Sequence, residues 1–474
     1  MTQPMTHTFE GTPMPTTHPE APRLDVETWA RPSSYRGGTI ATLAIASVLL
    51  IAPLQTRMQA QQTNFTPGVA AIPTPTFAPN ALTLQQVIDA AKTKNLTLLA
   101  ASRNVEAIRA QELQAAVRAN PTFTIAGQTV TLPNDGSEGN PPSYSAQVSR
   151  LFERGEKRRW RIDNAKATTQ QTEAQYLDQQ RQVIFTLKQA FTNMLMAKAA
   201  LTLAQANLKE FRHEVDINND RYKAGDIGKL DFERLDLQLA QFESDEATAR
   251  VNLTQASYQI QTLIGIATPS DDPNAFDIRG EIVPPNLTAD NNLPALIQTA
   301  LTTRPDYLAS QAAVRAADAN VKLQFANGTT DPTIEGEYDR SGNYNSFGFN
   351  VSIPLRLFDR NQGNKSTSKF QAQSSVFSRD AAAAQVRSDV AQAWVGYNTS
   401  KALSERYSQH YIDESKDVLE IAQFAYEHGG IALIDYLDAL RDARSVASNA
   451  LAAYSQTWLA IHQLSLSTAT EVAP

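Results

Sequence analysis

The chain has 474 residues, no cysteine and a formal net charge of −7, which excludes a disulfide scaffold, a thiolate metal site and a cysteine nucleophile. The acidic balance leaves no global basic field, so no nucleic-acid partner is expected. Abundant alanine and glutamine suit long helices.

The first feature along the chain is an apolar stretch from Gly38 to Ala52, preceded by Arg31 and Arg36 and ended by Pro53. It falls short of the roughly 20 residues a spanning helix needs. With the small Ala60 closing Met58-Gln59-Ala60, residues 1–60 are predicted to be a leader and secretory signal cleaved near Ala60, with an uncleaved anchor as the alternative. A linker rich in proline, threonine and glutamine follows over residues 61–82. No later apolar run reaches membrane length, which excludes helical spans and leaves a β-barrel open.

From residue 83 onward the chain is one unit written twice, over residues 83–285 and 286–474. Tyr222, Gly225, Ile227 and Asp231 match Tyr426, Gly429, Ile431 and Asp435 at a single offset of 204 residues. Upstream, Asn120-Pro121-Thr122 matches Asp331-Pro332-Thr333, and Leu151-Phe152-Glu153-Arg154 matches Leu357-Phe358-Asp359-Arg360. Each unit opens with a predicted helix, over Leu84–Ala119 and Leu293–Phe325. Two strands follow in each, near 121–132 and 143–152, then near 332–340 and 346–356. In the last of these Phe347, Phe349, Val351, Ile353 and Leu355 alternate with polar or small residues, the pattern of a barrel wall between lipid and water. A small soluble antiparallel sheet has the same alternation. Four strands cannot close a barrel alone, so others would come from further subunits.

A very long helix is predicted next, from Lys157 to about Ala224, returning from Asp226 to Ile266. At 1.5 Å per residue the first arm would be on the order of 100 Å long. Its stripe is Ile184, Leu187, Phe191, Met194, Ala197, Leu201, Ala204 and Leu208, and the returning arm carries Leu235, Leu239, Phe242, Ala249, Leu253, Ala256, Ile260 and Leu263. Spacings near seven mark helices that wind on neighbours. In the second copy the returning stripe is smaller: Ala439, Ala443, Val446, Ala450, Ala453, Thr457, Ala460 and Leu464. The turns between arms, near 221–232 and 425–436, hold Gly225 and the pair Gly429-Gly430.

The six histidines show no ligand spacing, and no Ser-His-Asp or paired-carboxylate arrangement is legible, so neither an enzyme nor a metal or cofactor site is expected. Asp435 and Asp438 lie three apart and can share a helix face, either as a pore lining or as carboxylates favoured at a helix N-terminus. Arg154, Lys157, Arg158 and Arg159 surround Trp160 just after a strand, which fits a membrane-interface rim or a solvated helix start.

The duplicated helix–strand–strand–helix–helix order and the Tyr-x-x-Gly-x-x-x-x-x-Asp motif at Tyr222-Gly225-Asp231 and Tyr426-Gly429-Asp435 resemble the TolC family of outer-membrane efflux proteins, from about Leu84 to Ala469. The stretch Leu151 to Arg158 is also similar to the cobalt-zinc-cadmium heavy-metal efflux type. The resemblance implies a mainly α fold with a small β part: long coiled-coil hairpins in two tandem repeats, and four strands per protomer contributing to a trimeric 12-stranded outer-membrane barrel. It implies a passive duct of a tripartite efflux or type I secretion system in a diderm bacterium's outer membrane, reaching into the periplasm. Its partners would be two further copies, a periplasmic adaptor, an inner-membrane pump and outer-membrane lipid, with no cofactor. By the same resemblance Asp231, Tyr426, Asp435 and Asp438 are pore or gate residues, and Ile431 stands at the family's gate-arginine position, which suggests an apolar or hydrogen-bonded closure. A periplasmic adaptor or an envelope coiled-coil protein is the alternative. The tandem hairpins argue against the first and the strand pairs against the second.

Overall fold

The computed structural model describes residues 72–127, 142–272, 275–285 and 292–472. The predicted signal and its cleavage point, residues 61–71 of the linker and nearly all of the connection from Pro133 to Pro142 lie outside them.

Where one opening helix is predicted per repeat, two form. In the first repeat α1 (Leu84–Lys94) is followed by α2 (Leu96–Ala116). Thr83 and Gln86 close a capping box on α1. Asn95 then leaves the helical region at ψ 117° and caps α2 by accepting from the Leu98 N–H at 3.0 Å. An apolar period continues across such a break, so periodicity alone reads one helix. The strands β1 (Thr122–Gly127) and β2 (Ser143–Leu151) lead into α3 (Lys157–Ala224) and α4 (Lys229–Leu263). The second repeat opens with α5 (Leu293–Thr303) and α6 (Pro305–Asn327). Here Pro305 pushes the preceding Arg304 out of the helical region, to ψ 120°. It continues through β3 (Thr333–Ser341), β4 (Tyr344–Ser352), α7 (Gln362–Arg406), a π-helical turn at Tyr407–Tyr411, α8 (Ile412–Glu427) and α9 (Leu433–Thr468).

The strands make one antiparallel sheet in the order β1-β2-β3-β4. Its register puts Phe123, Val148, Gly336 and Phe349 in one rank, and Ile125, Ala146, Tyr338 and Phe347 in the next. In these middle ranks one face is therefore apolar or glycine across all four strands, and Arg150 and Arg340 flank it at either end. Phe347 and Phe349 are 86% and 85% exposed. The strand predicted to 356 leaves the ladder after Ser352, two residues before Pro354, which has no N–H to donate.

Between the tips and the sheet, α4 buries Leu235, Phe242, Ala249 and Ala256, spaced by seven, on a single face. By contrast α9 packs on both α3 and α7. The predicted stripe on α9 is therefore only part of its buried surface. Leu437, Ala447, Leu451, Tyr454 and Ile461 are buried as well. The segment between repeats ties into the same core, where Ile278 bridges Leu82 and Asp277 takes the Lys198 ammonium at 2.6 Å.

Among the described residues no helix is long and apolar enough to cross a membrane.

Candidate functional site at the hairpin tips

Both hairpins turn by the same local chemistry. Gly225 at φ 85° ends α3, with the Gly225 N–H donating to Tyr222 and the Asp226 N–H to Arg221. Gly429 at φ 71° ends α8, with the Gly429 N–H donating to Tyr426 and the Gly430 N–H to Ala425. This is the left-handed helix stop that favours glycine. A side chain would meet nothing within 4 Å at Gly225 or Gly429, so backbone conformation alone selects the residue.

The equivalent ring pairs then part company. Tyr222 stacks on Phe232 at 5.2 Å and stays 37% exposed. Tyr426 stacks on Tyr436 at the same 5.2 Å but is 8% exposed. What buries Tyr426 is the first repeat. Its hydroxyl donates to Asn218 Oδ1 at 2.9 Å, and the Arg221 guanidinium lies 5.5 Å from its ring centre. Asn218 is fully buried and donates in turn to Glu214, at 2.9 Å to the carbonyl and 3.1 Å to the carboxylate. Burial pushes both phenols up, and it pushes the Glu214 carboxyl up too, with the Asn218 bond opposing and the Glu427 charge reinforcing.

The acidic residues singled out in the sequence sit nearby but serve several ends. Asp435 folds back on the first turn of α9, accepting from the Ala432 N–H at 3.3 Å. Asp438 is exposed and pairs with Arg441 at 2.7 Å. Asp231 occupies the first turn of α4, 3.7 Å from Arg234. Ile431 packs against the apolar cluster of Leu208, Phe211, Leu235 and Leu437. Glu214 and Asn218 were not legible in the sequence, because nothing local distinguishes them from surface polar residues of α3.

Of the basic set near the sheet, Lys157 and Arg158 turn inward while Arg154 and Arg159 stay exposed. Lys157 is buried, bonding Asp331 at 2.5 Å and the Thr329 carbonyl at 2.9 Å, so it is not free for a lipid rim. Burial opposes the charge on Asp331, yet the Lys157 ammonium and the Arg154 N–H hold its carboxyl below the usual range. Arg158 donates to the Ala116 carbonyl at 2.6 Å, in the last turn of α2. Arg159 remains exposed over Trp160 at 5.0 Å, with Lys322 also 5.1 Å from that ring. A lysine or arginine that satisfies the orphan carbonyls of a neighbouring helix reads in sequence like any surface cation.

A second feature emerges only from strand register. The face opposite the apolar one carries Thr122, Ser149, Glu335 and Asn350 in one rank, then Thr124, Gln147, Glu337 and Gly348, then Ala126, Ser145, Asp339 and Ser346. Three carboxylates thus climb one strand on the polar face. Among the described residues no group of histidines and carboxylates has the arrangement of a metal site.

The outer membrane efflux protein family model matches residues 87–266 and 296–470, the two repeats in turn. The cobalt-zinc-cadmium resistance protein CzcC of Cupriavidus metallidurans is 25% identical over 83% of this chain and 91% of its own. A membrane protein crystal structure from Pseudomonas aeruginosa superposes with a TM-score of 0.70 at 20% identity, covering 81% of this chain and 92% of that one. The structure of CusC superposes at 0.67 and 19%, covering 81% and 91%. Duplicated hairpins on a sheet with one apolar face, matched repeat by repeat, lead to one assignment: the chain belongs to the outer membrane efflux protein family and is an outer-membrane channel reaching into the periplasm.

Proposed function

We propose that three copies of this chain form a passive efflux duct whose periplasmic entrance is the ring of hairpin tips, fed by an inner-membrane pump through an adaptor that docks at those tips. The four-stranded sheet carries this reading. Both of its outer strands, β1 and β4, have one edge without a partner among the described residues, and one face is apolar in its middle ranks while the other is polar. Such edges are stable in a membrane only when a barrel closes them, and three sheets give twelve strands. The helices support the same assembly. Leu230, Leu237, Val251 and Tyr258 form an exposed stripe on α4 at multiples of seven, and Val418, Ile421 and Phe424 are exposed on α8. An α4 stripe of one copy against the α8 stripe of the next is a head-to-tail contact that closes a ring.

Cations are the favoured cargo. Turned to a lumen, Glu335, Glu337 and Asp339 from each copy would line it with carboxylates, which attract cations and repel anions. CzcC, a relative of similar length, is named for cobalt, zinc and cadmium resistance.

The test uses outer membranes and planar bilayers. The protein should migrate as a heat-dissociable trimer, and Phe349→Arg should cost about 2 to 4 kcal/mol of barrel stability, while Asn350→Arg leaves trimers intact. Neutralising Glu335, Glu337 and Asp339 together should lower cation-over-anion selectivity. Equal damage from both arginines would remove the barrel, and unchanged selectivity would remove the cation preference.

A further inference from the structure

Resting on the reading of the tips as a gate, we propose that Glu214 is a positioning residue of that gate: it orients the Asn218 amide toward Tyr426 and makes the closed tip proton-sensitive. An asparagine amide offers an oxygen on one side and an NH2 on the other, and a tyrosine hydroxyl can donate to the first or accept from the second. Only a second partner decides which way the amide faces. Here both groups presented to Asn218 Nδ2, the Glu214 carbonyl and carboxylate, are acceptors, at 2.9 and 3.1 Å. The oxygen is therefore left for the Tyr426 hydroxyl, 208 residues away in the second repeat. At the matching offset of 204, the second repeat has Val418 and Ala422 in place of Glu214 and Asn218. The polar relay belongs to one side of the contact only and is not a by-product of duplication.

Glu214 has little to neutralise it. On its own helix it faces His213 and Arg221; from α8 it faces Glu427 and Tyr426, and from α9 Tyr436. Asp231 of α4 acts on the same Tyr426. Burial and Glu427 together outweigh the cations and raise the Glu214 carboxyl above its ordinary value. Separating the tips would return it to water. The closed tip thus holds the Glu214 proton more tightly than the open one, so acidification stabilises closure. That gain accumulates as pH falls through the raised value and is complete below the ordinary carboxylate value of about 4.3. A neutral carboxyl still accepts from Asn218, so the latch survives protonation while the repulsion from Glu427 is lost.

The experiment measures resting conductance of the full-length trimer in planar bilayers across the acidic range. Wild-type conductance should fall as pH is lowered. Glu214→Gln keeps the acceptor and removes the charge, so its conductance should be low and lose the pH dependence. Glu214→Leu removes the carboxylate acceptor and leaves Asn218 only the backbone carbonyl, so its conductance should rise above wild type toward that of Tyr426→Phe, with trimer migration on gels confirming that both variants assemble. A Glu214→Gln channel that keeps the wild-type pH profile would overturn the role of Glu214 while leaving the gate in place. A Tyr426→Phe channel with unchanged conductance would remove the gate itself, and this role with it.

Discussion

The two hairpin tips have the same turn and the same stacked ring pair, yet one pair is a surface feature and the other a buried joint. Tyr222 on Phe232 is open to water, whereas Tyr426 on Tyr436 is sealed against Asn218 and Arg221 of the first repeat. Duplication copies local chemistry faithfully, because a glycine stop and an aromatic pair one turn away are set within a dozen residues. It does not copy environment. In the described chain the second hairpin's Tyr426 is packed on by α3 of the first, while Tyr222 and Leu230 at the first tip stay exposed. Equivalent residues have consequently drifted into different work.

The largest expected asymmetry is at those rings. Tyr426→Ala should cost about 3 to 5 kcal/mol of local packing, as for other buried aromatics, and Tyr222→Ala well under about 1. Hydrogen exchange of the tip amides would measure both, and equal losses would break the comparison.

The helix ends offer the next contrast. Asn95 donates its amide to the Leu263 carbonyl at 2.8 Å, near the end of α4. At the corresponding joint of the second repeat, Arg304 reaches the Ser467 carbonyl near the end of α9, and it also pairs with Asp306 at 2.6 Å and Asp389 at 2.9 Å. Replacing Arg304 by alanine removes the shared cation of two partly buried carboxylates, leaving Asp306 to Arg181 and Asp389 to Gln385, and should cost about 2 kcal/mol, against about 1 for Asn95→Ala. Urea unfolding of the two variants would rank them.

A third contrast is readable by pH. His462 is 5% exposed and bonded to Thr192 at 3.0 Å, and burial with the nearby Lys188 charge pushes its pKa down to about 4. At the matching position of the first repeat stands Tyr258, 37% exposed. An imidazole that resists protonation when folded is protonated first in the unfolded chain. Its neutral form therefore supports the fold fully above an ordinary histidine pKa of about 6.5, and the support is lost as pH falls toward 4. The loss should reach roughly 2 to 3 kcal/mol. His462→Gln should flatten the stability profile over that window, whereas Tyr258→Gln should leave it in place.

The smallest effect should be symmetric. Gly225→Ala and Gly429→Ala each force a side chain into positive φ and should each cost about 1 kcal/mol. A markedly larger penalty at one tip would mean that the turn there touches a second copy.

Sequence by itself determined the duplication, the strand pairs, the long arms and both glycine turns, since each is written in local period or a short motif. Its reading of Tyr426 as a special residue came through resemblance, and it could not supply the partner. Only tertiary structure decided that Asn218 and Glu214 meet that tyrosine, that Lys157 pairs with Asp331 and Arg158 serves the last carbonyl of α2, and that α9 is buried on two sides while α4 buries one. Only strand register aligned Glu335, Glu337 and Asp339 on the polar face. The physical reason is the same in each case. Helix period and turn chemistry act over a few residues, whereas burial, hydrogen-bond partner and protonation depend on which distant segment packs alongside.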